Sequence, residues 1–262
     1  MTQDAWDKFV KARARFKQSV EETSLSAPFL KNLQQELVDG RQSDGQSNAA
    51  GYTVDTPVVY NRSLDDVSPN DEIRLILVGD NPGRREQALE NRRYLVGPSG
   101  KIAQKFFAGQ PALGIDFYKN VIILNKTPIH TPRTVQLRDL CRTKTHGAEL
   151  AKILEESQRA MAHLLLEFHN CFCDSDDETI PVWIIGYSEM KKNGVFHSYT
   201  ETLKELYTAA GRKKMHDRLF LFRHFSMNQF TIDLKQQALP SEPPSESLLR
   251  IGAVYRQRIL GS

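Results

Sequence analysis

The sequence predicts an α/β fold: a three-layer α/β/α arrangement around a central four-stranded, mainly parallel sheet. Four short runs rich in β-branched and aromatic residues (73–79, 120–125, 182–186 and 218–224) each stop in a polar or glycine cluster, as core strands do. Between them the apolar residues change to helical spacing, over 101–108, 147–168 and 200–210. Strand alternating with helix implies right-handed crossovers, parallel neighbours and helices on both faces of the sheet.

The chain ends extend this core. Trp6, Phe9, Val10, Phe16 and Val20, then Phe29, Leu30, Leu33 and Leu37, recur at helical spacing on either side of a Ser-Leu-Ser-Ala-Pro break, which predicts an N-terminal pair of helices. The stretch 40–51 carries Gly, Ser, Gln and Asn but no large apolar residue, and reads as a mobile loop. Residues 1–52 are thus expected to be a helical extension with a loop, and 53–262 the α/β domain, together one compact unit. At the other end, 240–244 reads as an extended proline-serine connector and 248–260 as a last helix docking on the body.

Composition narrows the function classes. With 35 Lys+Arg against 32 Asp+Glu, a nucleic-acid ligand has to be held by a local patch rather than by bulk charge. Three cysteines, Cys141, Cys171 and Cys173, and no apolar leader after Met1 predict an intracellular, cytoplasmic protein without structural disulfides. No apolar run approaches the roughly 20 residues of a membrane helix.

In such sheets ligands collect beyond the carboxyl ends of the strands, which directs attention to the loops after Val78, Leu124, Ile185 and Phe222. The first strand runs into Gly79-Asp80-Asn81-Pro82-Gly83, a turn with adjacent carboxylate and amide side chains. Tyr94-Leu95-Val96-Gly97-Pro98-Ser99-Gly100 follows; the second strand ends in Asn125-Lys126-Thr127-Pro128, and the last in His224-Phe225-Ser226. These segments resemble the uracil-DNA glycosylase superfamily. The first turn is similar to its Gly-x-Asn-Pro-Gly branches, and the second segment to the Pro-Phe-Val-Gly-x-Ala-Gly of its iron-sulfur branch. The resemblance spans about 73–230 and rests on these short motifs.

The resemblance implies a monofunctional DNA glycosylase, a monomer acting on DNA that contains uracil or a related damaged base. Breaking the N-glycosidic bond passes through an oxocarbenium-like state, so the site must stabilise a departing base anion and hold a water. By the resemblance Asn81 positions that water, or Asp80 acts as general base, the two roles being open. Asn125 offers a donor and an acceptor to O4 and N3–H of uracil, and His224 donates to O2. Gly79, Pro82, Gly83, Tyr94 and Leu95 line the base; because Leu95 replaces the usual Phe, stacking is either weak or comes from another ring, Tyr94 being the candidate. Arg84, Arg85, Arg93, Lys101 and Lys126 contact phosphates, Arg92 and Arg133 adding to them, and Ser226 orients the adjoining phosphate. Gly83 in place of a methyl-excluding Tyr leaves the substrate range open, selection against thymine being either relaxed or handled by another side chain.

Other chemistries are weaker matches. Three cysteines fall short of an iron-sulfur ligand set, so neither cofactor nor metal is expected. Gly97-Pro-Ser-Gly-Lys101 fails as a phosphate loop at both ends, and Ser188 lacks the second glycine of a nucleophile elbow. No lysine is placed as a Schiff-base nucleophile. The competing expectation is a non-catalytic nucleic-acid or base-binding member of the same fold, with Leu95 and Phe225 reporting lost chemistry. The arginines near Arg84 and Arg92 could also be a solvated loop pairing with Glu86 and Glu90.

Overall fold

A computed structural model describes residues 1–43, 51–173 and 179–261. Its elements in chain order are α1 (Gln3–Ser26), α2 (Leu30–Ser43), β1 (Leu75–Gly79), α3 (Pro98–Ala108), β2 (Val121–Asn125), α4 (Gln136–Leu140), α5 (Gly147–Asn170), β3 (Val182–Ile185), α6 (His197–Thr208), α7 (Lys213–Asp217), β4 (Leu219–Phe222), α8 (Gln229–Gln237) and α9 (Pro244–Leu260).

The four strands form one all-parallel sheet in the order β2-β1-β3-β4. All five residues of β1 and all four of β3 and β4 are buried, as strands covered on both faces must be. The ladder sets Gly79 beside Asn125 and Ile184 beside Val78, so the strands end at one level. From β1 the chain crosses to β2 on one side, then returns over β1 to β3. The order therefore reverses between β1 and β3, the point of a parallel sheet beyond whose carboxyl ends ligands collect.

Helices cover both faces. Trp183 of β3 stacks on Phe107 of α3 at 5.4 Å and faces Phe230 of α8 at 6.0 Å. On the same face α9 brings Gly252 over Phe220 and Phe222. The opposite layer is α1, α5 and α6. Thr2 caps α1 by accepting the Ala5 N–H, and the helix buries Phe9, Ala12, Phe16 and Val20 at helical spacing. Phe9 meets Phe168 of α5 edge-on at 5.6 Å, so the N-terminal extension shares the main core. Full burial of each such side chain contributes about 1.5–3 kcal/mol.

Several elements differ from expectation, most strand and helix ends by one to three residues. Pro244 opens α9 at its first turn, where a missing N–H costs nothing, so the connector before that helix ends at Pro243. The short α4 and α7 and the nine-residue α8 have no clear periodicity and are not anticipated. Of the expected mobile loop at 40–51, residues 40–43 instead continue α2 for a further turn, and 44–50 lie outside the described ones. Among the described residues no helix is long and apolar enough to cross a membrane.

Candidate functional site

The carboxyl ends of all four strands bring together Asp80, Asn125, Lys126, Gly186 and His224. Lys126 is the centre of this arrangement and is completely buried. Its ammonium donates to Asp80 Oδ1 at 2.6 Å, to the Ile185 carbonyl at 2.5 Å and to the Gly79 carbonyl at 3.3 Å. It thereby ties β1, β2 and β3 together, with the Phe196 ring 5.1 Å away. Burial lowers the lysine's pKa and the Asp80 carboxylate opposes that shift. The other Asp80 oxygen, Oδ2, accepts the Thr134 hydroxyl at 3.3 Å. Room for the carboxylate comes from Gly186, at φ +81°, because a Cβ there would overlap Asp80.

This geometry corrects the expectation that Lys126 contacts DNA. All three of its protons have acceptors inside the protein, and no surface remains for a phosphate. The same saturation keeps it from acting as a free amine nucleophile, although a lysine does lie among the strand ends.

Asn81 turns the other way. Its Nδ2 donates to Thr131 Oγ1 at 2.9 Å and more weakly to the Ile129 and Thr131 carbonyls. With the amide nitrogen held by that loop, Oδ1 is left as the acceptor. The turn itself is fixed by His130. The Pro82 carbonyl can only accept, so the 2.8 Å contact makes His130 Nδ1 the donor, and the Tyr52 hydroxyl then donates to Nε2 at 2.8 Å. Burial drives the His130 pKa down to about 4, which keeps the ring neutral as this pairing requires.

Asn125 is 3 % exposed, yet its Nδ2 has no hydrogen-bond partner among the described residues. Its Oδ1 lies over Gly79, where a Cβ would collide with it; the glycine is what lets the amide cover the end of β1. His224 leaves a donor open as well. Its Nδ1 accepts the Ser226 backbone N–H at 3.0 Å, so the neutral ring carries its proton on Nε2. Burial lowers the His224 pKa; Asp80 opposes the shift and Lys126 adds to it, which places the imidazole in the field of that pair. The Ser226 hydroxyl, 2.8 Å from the same Nδ1, engages His224 rather than standing ready for a phosphate.

Several expected positions lie elsewhere. Tyr94 is 1 % exposed, donates its hydroxyl to the Val59 carbonyl at 2.6 Å and packs near Phe16, so it is a core residue and no stacking platform. Leu95, 6 % exposed with φ +53°, is likewise turned into the core. Arg93 pairs with Asp66. Arg84 lies 4.9 Å from the Tyr52 ring, while Arg84, Arg85, Lys101 and Arg133 are exposed. Pro82 is buried and Gly83 half-buried in the turn.

Glu86 does not pair with these arginines. It is 7 % exposed, accepts the Gly83 N–H at 2.8 Å and faces the backbone amides of Leu95, Val96 and Gly97. Burial outweighs these donors and pushes its pKa up to about 7. The amide cup in front of α3 is thus filled by the protein's own carboxyl group, a physical reason why the Gly97–Lys101 segment is no phosphate loop.

Residues not foreseen are His130, Thr131, Thr134, Gly186 and Met227. The Pro128-Ile-His-Thr-Pro132 string directly after a strand end was the available sign for the first two. Met227 follows His224 closely, is 78 % exposed and sits at φ +51°, beside Asn228 at φ +59°. An apolar side chain held outward on left-handed backbone marks a strained, accessible tip beside the end of β4. The strand ends themselves are closed: Asp80, Asn125 and Lys126 are all buried. A cavity of about 420 Å³ lies away from them, against α1. No known protein family matches this sequence, and no curated protein is similar enough to it to count as a relative.

Proposed function

We propose that this chain is a DNA glycosylase that hydrolyses the N-glycosidic bond of uracil or a related damaged base, acting inside the cell as a monomer without a cofactor. The observation that carries the reading is the buried, unpartnered Nδ2 of Asn125, at the same sheet end as the Nε2–H of His224. A buried donor without an acceptor costs about 1–3 kcal/mol, a cost that an incoming carbonyl oxygen removes. Two such donors suit the O4 and O2 of a pyrimidine, with His224 favouring the base as negative charge grows on it.

The roles of Asn81 and Asp80 separate on this reading. Asn81, its nitrogen fixed by Thr131, presents Oδ1 to the attacking water. Asp80, engaged by Lys126 and Thr134, holds the strand-end turn in shape rather than acting as a free base. The C1′–N bond breaks with its electron pair on the base, the water oxygen adds to C1′, and its proton passes to solvent. Because the strand ends are closed, entry of a base requires the rim to open, and Met227 is placed to fill the gap left by an extruded nucleotide.

The closed rim, with no aromatic ring at positions 94 and 95 facing the strand ends, favours a second reading, a base or nucleic-acid binder without chemistry. Incubation with single- and double-stranded oligonucleotides holding one uracil, followed by alkali, distinguishes the two. Strand scission is expected from the wild type, with losses of about 10²–10³ in Asn81→Ala and altered base preference in Asn125→Asp. Absence of scission on every lesion tested, with binding retained, establishes the binder instead.

A further inference from the structure

The cavity of about 420 Å³ lies between α1 and the segment 56–65, on the side of the sheet where β2 forms the edge. Val20 and Val58 contribute apolar wall, Tyr60 an aromatic ring, and Arg62 and Arg92 positive charge. The size suits a small polar ligand or a short length of chain.

The charges in this cavity are unequal in status. Asp65 is already neutralised: it takes Lys17 at 2.9 Å and the Tyr60 hydroxyl at 2.9 Å, with Arg13 at 4.0 Å. The guanidinium groups of Arg62 and Arg92, in contrast, have no carboxylate partner among the described residues. Arg92 Nε is buried and has no acceptor there at all. The two arginines come from separate loops joined by the Arg62 N–H bond to the Arg92 carbonyl, and Arg92 is held at φ +43°, where a side-chain-bearing residue is strained. A desolvated donor, a second free guanidinium beside it and hydroxyls from Ser24 and Thr56 are the groups that recognise a tetrahedral oxyanion.

We propose that this groove is a phosphate-binding site, with Arg62 and Arg92 as its clamp, and that it takes a phosphate carried by a nucleotide or a nucleic-acid strand while the Tyr60 side packs the attached sugar or base. This gives α1 a part in binding, since the helix supplies one wall. The site stands apart from the strand ends and does not depend on the glycosylase reading.

Fluorescence anisotropy with an undamaged, labelled single-stranded 15-mer, read over a range of salt concentration, tests it, with inorganic phosphate and a mononucleotide as competitors. The double variant Arg62→Gln/Arg92→Gln is expected to weaken strand binding about tenfold and to lower the salt slope by about 1.4, the share of two contacts on a single strand. Glu21→Gln, which removes the exposed acid at the rim, is expected to strengthen binding two- to threefold by relieving repulsion. Competition by the mononucleotide as well as the strand identifies free nucleotides as ligands; competition by the strand alone identifies nucleic acid; both support the site. A control, Arg159→Gln/Lys204→Gln, removes equal charge from α5 and α6. Equal weakening in this control, or unchanged affinity and slope in both the arginine variant and Glu21→Gln, overturns the proposal. Should the arginine variant fold poorly, Glu21→Gln decides alone.

Discussion

Two parts of the same strand-end rim are built on opposite terms. Around Lys126 every polar atom has a partner: the ammonium takes three oxygens and Asp80 has both its oxygens engaged. Around Asn125 and His224 donors are left open in a buried or half-buried setting. A satisfied buried pair fixes a shape, whereas an unsatisfied one stores a cost that a ligand can remove. The first group therefore reads as scaffold and the second as the part that recognises something, although both sit at the ends of neighbouring strands.

The sharpest way to break this comparison is to cut each half. Lys126→Met leaves Asp80 buried without its cation and is expected to cost about 3–5 kcal/mol, read as a drop in the urea midpoint at neutral pH. Asn125→Ala, at an equally buried position, is expected to change stability by under about 1 kcal/mol while removing base recognition. Equal losses in the two variants would erase the distinction.

Next in size is the response to acid. His130 and His169 both have pKa values driven down to about 4 by burial, so the native state refuses a proton that the unfolded chain takes up. Their contribution is present above about pH 6.5 and is lost as pH falls towards 4, by about 3 kcal/mol each. Denaturation midpoints followed across that window should fall less steeply in His130→Gln than in the wild type. Glu86 has the opposite sign. Its pKa near 7 makes the native state favour the protonated carboxyl, so its contribution is greatest below pH 4.5 and is lost as pH rises through 7. In Glu86→Gln that part of the pH profile, about 3 kcal/mol in height, should flatten; a profile unchanged from wild type between pH 5 and 8 contradicts the assignment.

The smallest effect falls on Met227. Replacement by Gly relieves left-handed backbone and should raise stability by under about 1 kcal/mol. On the proposed function it should also lower turnover of duplex substrate more than of single strands, measured as the ratio of the two rates.

The strand ends were legible in the sequence because short apolar runs stop at or within two residues of Gly79, Asn125, Gly186 and His224, and the ladder pairs Gly79 with Asn125 and Ile185 with Phe222 at those stops. Asn81, Asn125 and His224 were legible as polar groups at those stops. Side-chain direction was not. Tyr94 lies in a motif-like string, but the left-handed turn at Leu95 aims it inward. Lys126 looked like a surface cation because lysine is rarely fully buried, and only the three carbonyl and carboxylate oxygens converging on it show otherwise. Glu86 sits among arginines in sequence yet folds onto backbone amides, a pairing with no linear signature.

Asn61 has a wider effect than its size suggests. Its amide nitrogen donates to the Ile123 carbonyl on the outer side of β2, while its oxygen takes the Tyr94 and Ser63 N–H groups. Close by, Val59 donates to the Pro128 carbonyl. One border of the sheet is in this way occupied by a crossing piece of the same chain, so a foreign extended peptide finds few free carbonyls or amides to zip against there. The fold carries its own guard against strand-by-strand self-association on that side, and a hydrophobic residue at position 61 would be expected to remove it.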